Sequence, residues 1–140
     1  MSCIYLFRDW FFDLLLDYFI KSGWAILIKD FKRSKNKRER CYFGLTNYRE
    51  KIVYLDKFHA TPRILVHELG HMALGDLLEN YSKVQPKSEL QKLQVKKLRH
   101  KRREWAELET MDFERLFFKS LTKQQISILK DLINIAKSMA

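Results

Sequence analysis

Cysteine is almost missing from this 140-residue chain: Cys3 and Cys41 are separated by 37 residues and form no CxxC pair. That spacing supports neither a disulfide framework nor a thiolate zinc site, and it fits a reducing, cytoplasmic-type compartment. Glycine and proline are scarce too, at four and two residues, so no low-complexity linker divides the chain, and no internal repeat recurs. Acidic residues fall well short of basic ones, 17 against 27, which leaves a net charge of +10. An uninterrupted apolar span is also missing. The most hydrophobic stretch, Ile4 to Ile20, carries Asp9, Asp13 and Asp17 at every fourth position, with no basic leader or small-residue cleavage site. It reads as a buried first helix with a narrow polar stripe, the alternatives being a membrane-surface helix or a dimer face.

What is present suffices for one domain. With 46% apolar and 14% aromatic residues, the chain is long enough to build a core and too short to build two. Within Arg63 to Leu74 stands the motif His67-Glu68-Leu-Gly-His71. On a helix, two histidines four residues apart share a face, so both imidazoles can reach one tetrahedral Zn²⁺. Glu68 then lies beside the metal, where a carboxylate can take a proton from a water acidified to a pKa of about 7. Apolar neighbours Ile64, Leu65, Val66, Leu69, Met72, Ala73 and Leu74 describe a helix buried on most of its circumference, in which unpartnered polar groups would be costly. A pair of hydrogen-bonded core histidines is the structural alternative.

A catalytic zinc takes a third protein ligand. The HExxHxxGxxH pattern is excluded by counting, because Leu74 and Leu77 stand at its last two positions; Asp76 then reads as a helix-end residue after Gly75. A downstream helix around 103–118 offers Glu104, Glu107, Glu109 and Glu114. Its apolar face is marked by Trp105, Leu108, Met111, Phe113, Leu116 and Phe117, and Glu107 sits within the border of that face, with Glu104, Glu109 and His100 open as alternatives. The remaining glutamates read as a solvated face balancing the basic run before them.

HELGH after the strand-like Lys51 to Asp56, followed by Glu107-Leu-Glu-Thr-Met-Asp-Phe113, resembles the ImmA/IrrE-type metallopeptidases and small gluzincins more broadly, over about residues 41 to 118. The family's second helix reads E-x-x-A-N/D-x-F-A, and aligning its Phe with Phe113 implies Glu107 as the third zinc ligand. Thr110, Met111 and Glu114 depart from that pattern. SprT-like proteases are the neighbouring possibility, but they take a third His from a short motif that His100 does not reproduce.

Turn and cap signals fill in the rest. Trp24 to Ile28 reads as a strand, and Cys41 to Thr46 with Lys51 to Asp56 as a hairpin across Asn47 to Glu50. Pro62 with Thr61 as N-cap opens the motif helix, Ser88-x-x-Gln91 opens a long helix reaching about Phe118, and Thr122-x-x-Gln125 opens the last helix, whose stripe is Ile126, Leu129, Ile133 and Ala136. The expected class is α+β: a small zincin-like domain with an N-terminal helix, a short, mostly antiparallel sheet, the HExxH helix and a downstream ligand helix.

The resulting expectation is a zinc-dependent metallopeptidase with His67, His71 and Glu107 as ligands, Glu68 as general base, and the Cys41 to Thr46 strand as the edge that binds an extended peptide. Sixteen of the 27 basic residues fall in 29–40 and 83–103, which suggests a nucleic-acid partner or DNA-associated substrates; a solvated basic surface is the plainer reading, since neither run is interleaved with aromatics. The competing function is a non-catalytic basic nucleic-acid-binding or regulatory module on the same fold.

Overall fold

The first helix ends where its backbone requires a left-handed residue. Gly23 has φ +83°, its N–H bonds to Ile20 O at 3.1 Å, and the Trp24 N–H reaches back to Phe19 O at 3.0 Å. This Schellman pair turns the chain from helix into strand. The computed structural model describes residues 9–82 and 87–140, and the side chains of 10–75, 87–97 and 107–140 among them. The order is α1 (Asp9–Lys21), β1 (Ala25–Lys29), β2 (Gly44–Asn47), β3 (Ile52–Asp56), α2 (Pro62–Ser82), α3 (Glu89–Ser120) and α4 (Lys123–Ser138), with short 3₁₀ turns at Phe31–Arg33 and Glu39–Cys41.

The class is α+β, but the sheet is mixed rather than mostly antiparallel. Its order is β1-β3-β2. The hairpin is there, β2 running antiparallel to β3 with Leu45 opposite Tyr54, whereas β1 runs parallel to β3 with Leu27 beside Tyr54. A parallel pair needs a long crossover, and the residues between β1 and β3 supply it. β3 takes the centre and is the most deeply buried strand, with Val53 and Leu55 fully buried. β2 begins later than expected, at Gly44, since Glu39–Cys41 is drawn into a 3₁₀ turn.

Asp56 closes the sheet. Its buried carboxylate accepts the N–H groups of Phe31 (3.2 Å) and Phe58 (3.1 Å) and pairs with His59 Nδ1 at 2.6 Å. Burial opposes its charge, yet the hydrogen bonds from His59, Phe31 and Phe58 outweigh burial and hold the carboxyl below the usual range.

The core joins all four helices to the sheet. Leu65, Val66, Leu69 and Met72 of α2 are buried against it, as expected, with Leu129 and Ile133 of α4. The α4 capping box is formed by Thr122 and Gln125. Ser88 caps α3 by accepting the Gln91 N–H at 3.1 Å, but the Gln91 carboxamide accepts from Lys87 N–H instead of closing the box. α1 is buried along one face only. Phe12, Leu15 and Phe19 enter the core, and Phe11 meets Phe117 of α3 edge-on at 5.5 Å. Trp10, Leu14 and Ile20 stay exposed, so its open face is wider than an Asp stripe. α2 does not end at Gly75 but runs on to Ser82. There a Cβ would collide with the Tyr48 ring, so Gly75 serves packing rather than helix termination. No described helix is long and apolar enough to cross a membrane.

Candidate metal centre

α2 starts where Thr61 Oγ1 accepts the Ile64 N–H at 3.3 Å, and Pro62 presets the first helical φ. That start places His67 and His71 on one face, a turn apart, with Nε2 atoms 3.2 Å from each other. The long α3 crosses this face. Gly70 permits the approach: a Cβ there would lie 2.8 Å from Phe113 Cδ1 and 3.2 Å from Thr110 Cγ2. With the two backbones this close, Glu107 spans the imidazoles, its Oε1 3.5 Å from His67 Nε2 and its Oε2 3.2 Å from His71 Nε2.

His67, His71 and Glu107 thus form a group that could hold a metal ion, and their donor atoms all lie within 4.8 Å of one another. The three closest donor separations have a direct chemical reading. Bonds of about 2.0–2.1 Å in a tetrahedral site put ligand atoms about 3.3 Å apart, close to the 3.2 Å between the two imidazole nitrogens, while each nitrogen meets a different oxygen of Glu107.

The ring nitrogens facing away from this point also have partners. His71 Nδ1 lies 3.4 Å from Thr110 Oγ1 on a fully buried threonine, and His67 Nδ1 lies 3.7 Å from Glu114 Oε1. Glu114 is in turn 3.9 Å from Arg63 Nε. Such contacts orient an imidazole so that its other nitrogen carries the lone pair. Burial lowers the His71 pKa and the neighbouring His67 pushes the same way, while the Glu107 charge opposes them.

Glu68 faces the opposite wall, toward β2. Thr46 Oγ1 donates to its Oε2 at 2.6 Å and lies 3.1 Å from its backbone carbonyl. Burial pushes the Glu68 carboxyl up to about 7; the Thr46 hydrogen bond restrains the rise and the charge of Glu107 adds to it. Gly44 makes room for this carboxylate, since a Cβ at 44 would lie 2.9 Å from Glu68 Cγ. Tyr42, Phe43 and Ile64 wall the same cleft beside His67, Glu68 and Glu114.

Of the four residues expected at the site, His67, His71 and Glu107 come together, and Glu68 lines the adjoining cleft with His67. Glu109 is exposed and lies outside the group, while the side chains of Glu104 and His100 are beyond the described ones. Three participants went unrecognised in the sequence: Gly44, Thr46 and the partner role of Glu114. A glycine inside a strand is a signal for close approach, and Gly44 was legible in that way. Expected to be merely solvated, Glu114 instead lines the cleft. No family model, curated protein or solved structure matches the chain.

Proposed function

We propose that this protein is a zinc-dependent metallopeptidase of the ImmA/IrrE type on a zincin-like fold. The observation that supports it best is the convergence of His67, His71 and Glu107, the two imidazole nitrogens 3.2 Å apart and each within 3.5 Å of a Glu107 carboxylate oxygen. Two imidazoles and one carboxylate suit Zn²⁺ and leave one coordination position for catalysis. When bound, Zn²⁺ supplies the Lewis acidity that lowers a water's pKa and polarises a carbonyl.

This chain's residues do the rest. Glu68, with a carboxyl poised at about 7, accepts the water's proton and passes it to the leaving amine. Thr46 suits both forms of Glu68. Its hydroxyl donates to the ionised carboxylate, and once Glu68 is protonated it can turn to the Glu68 carbonyl 3.1 Å away. β2 lies at the sheet edge, bonded on one side only to β3, and its free side accepts an extended peptide by strand addition. The walls at Tyr42, Phe43 and Ile64 favour an apolar side chain beside the scissile bond.

The test pairs metal content with proteolysis of a mixed peptide library. Wild type should carry one zinc per chain and cleave; Glu68→Gln should keep the zinc and lose at least 100-fold in rate, and Glu107→Ala should bind zinc only weakly, through the two histidines. A wild-type chain that binds no zinc sinks the reading. Zinc without cleavage favours the non-catalytic regulatory module.

A further inference from the structure

The segment between β1 and β2 is a folded cationic arm rather than a loose loop. Phe31 is fully buried at its base and donates its N–H to Asp56 Oδ1. Farther along, Glu39 accepts from Lys29 Nζ at 2.8 Å and from Ser34 Oγ at 2.6 Å, which ties the arm to itself. Arg33 lies 3.7 Å from Asp30. These contacts occupy Glu39, while Asp30 meets Arg33 only through Oδ2 and keeps a buried Oδ1 without a hydrogen-bond partner among the described residues. Lys32, Lys35, Lys37, Arg38 and Arg40 are exposed, and among the described residues no carboxylate lies within ion-pair distance of them.

Residues 32–40 contain no aromatic ring, but Phe43 follows them in the same segment and the fold brings Phe58 from beyond β3. Phe58, just past β3, is 62% exposed, and Lys32 and Lys57 place their ammonium groups 5.7 and 5.6 Å from its ring centre. Phe43, at the far end of the arm, is 53% exposed and stacks on the His59 ring at 4.3 Å. Neither ring is needed to fill the core.

We propose that this surface binds single-stranded nucleic acid. Phosphates lie along Lys32, Lys35, Lys37, Arg38 and Arg40, and bases stack on Phe58 and Phe43. Each base offers a π-face, so aromatic rings set among cations hold a strand with little sequence preference. A duplex hides those faces inside its own stack. An anionic membrane is met by an amphipathic helix with a continuous apolar face, and this segment holds only the short turns Phe31–Arg33 and Glu39–Cys41. An acidic peptide would use the charge and leave the flat rings idle. Because Phe43 also walls the metal cleft, a bound strand runs to the cleft mouth, but its binding requires no metal ligand.

Fluorescence anisotropy of the full chain with labelled 15-mers of dT and of U tests this, in metal-free and zinc-treated protein. Neutralising about five phosphates predicts about 100-fold weaker binding at 200 mM than at 50 mM salt. Phe58→Ala should weaken binding about tenfold at fixed salt, and the triple variant Lys32→Glu, Lys35→Glu, Arg38→Glu should abolish it, with unchanged far-UV circular dichroism in each. Absence of binding at 50 mM salt overturns the proposal. So does equal affinity for a hairpin duplex, for phosphatidylserine vesicles or for a polyglutamate peptide. Wild-type affinity in the triple variant also overturns it, by moving the site to 83–103. Failure to bind zinc sinks the peptidase reading alone and leaves this result standing.

Discussion

Gly44 lies against the carboxylate of Glu68 across the floor of the cleft, so close that a methyl group at 44 would sit 2.9 Å from Cγ and 3.0 Å from Oε1. Thr46, two residues on and therefore on the same face of the strand, grips the other oxygen at 2.6 Å. Glu68 cannot retreat from an added side chain without breaking that bond. Gly44→Val should therefore displace the proton acceptor by about 1 Å, a misplacement that costs about 100-fold in rate. Zinc content should stay at the wild-type level, because the atoms nearest a side chain at 44 all belong to Glu68 and not to a metal-ligating residue. Parallel measurement of kcat/KM and bound zinc checks the prediction, and loss of zinc along with activity would count against it.

The raised pKa of Glu68 has a consequence for stability. Its carboxyl titrates at about 7 in the folded chain against 4.5 for the ordinary group. Between those values the folded state keeps a proton that the unfolded state has lost, so metal-free protein loses stability as pH rises from about 4.5 to 7, and the full cost persists above 7. That shift corresponds to at most about 3 kcal/mol. Glu68→Gln mimics the protonated form at every pH. Metal-free Glu68→Gln should match wild type in urea unfolding at pH 4 and exceed it at pH 8. A pH-independent difference would show that burial does not penalise the charge.

The motif helix was readable because its evidence is local: a cap at Thr61, a proline at its first position, and His67, Glu68 and His71 at helical spacing. The hairpin and the last helix were readable for the same reason. The facing of α3 was not. Its apolar residues suggested a buried face through Leu108 and Met111, yet these are 61% and 53% exposed. The face turned toward α2 instead follows Glu107, Thr110, Glu114 and Phe117, spaced three, four and three residues apart, with Thr110 and Phe117 buried and Glu107 still 53% exposed at its rim. Three of those four are polar and line the site, so amphipathic patterning is right for Phe113 and Phe117, which pack in the core, and wrong for Leu108 and Met111. Parallel pairing of β1 with β3 and the approach of Phe58 to Lys32 are long-range relationships, which no local pattern encodes.

Glu114 occupies a position where the resembled family has alanine, and here it faces His67 Nδ1 at 3.7 Å with Arg63 behind it. Its carboxylate favours the tautomer with hydrogen on Nδ1, which leaves Nε2 free to bind metal. Glu114→Gln keeps the shape and removes the charge. A loss of about 10- to 100-fold in zinc affinity is expected from weakening such a partner, read by competition against a chelating dye. An unchanged affinity would reduce Glu114 to a surface acid near the cleft.

Gly70 links helix packing to chemistry. It stands inside the motif between Glu68 and His71, yet its contacts are with α3: Phe113 Cδ1 at 2.8 Å and Thr110 Cγ2 at 3.2 Å from where a Cβ would be. Phe113 is itself wedged on Phe117, with ring centres 5.0 Å apart, so the ring cannot simply swing aside. Gly70→Ala must push α3 outward, and Glu107 moves with it. The two histidines stay on α2 and keep their 3.2 Å spacing. The variant should therefore retain a weak two-histidine site while losing the contribution of the carboxylate. Zinc affinity should fall close to that of Glu107→Ala, and combining the two substitutions should cost little more than either alone, because they remove the same contact. Additive losses in that double-mutant cycle would mean that Gly70 acts on the histidines directly and not through the position of Glu107.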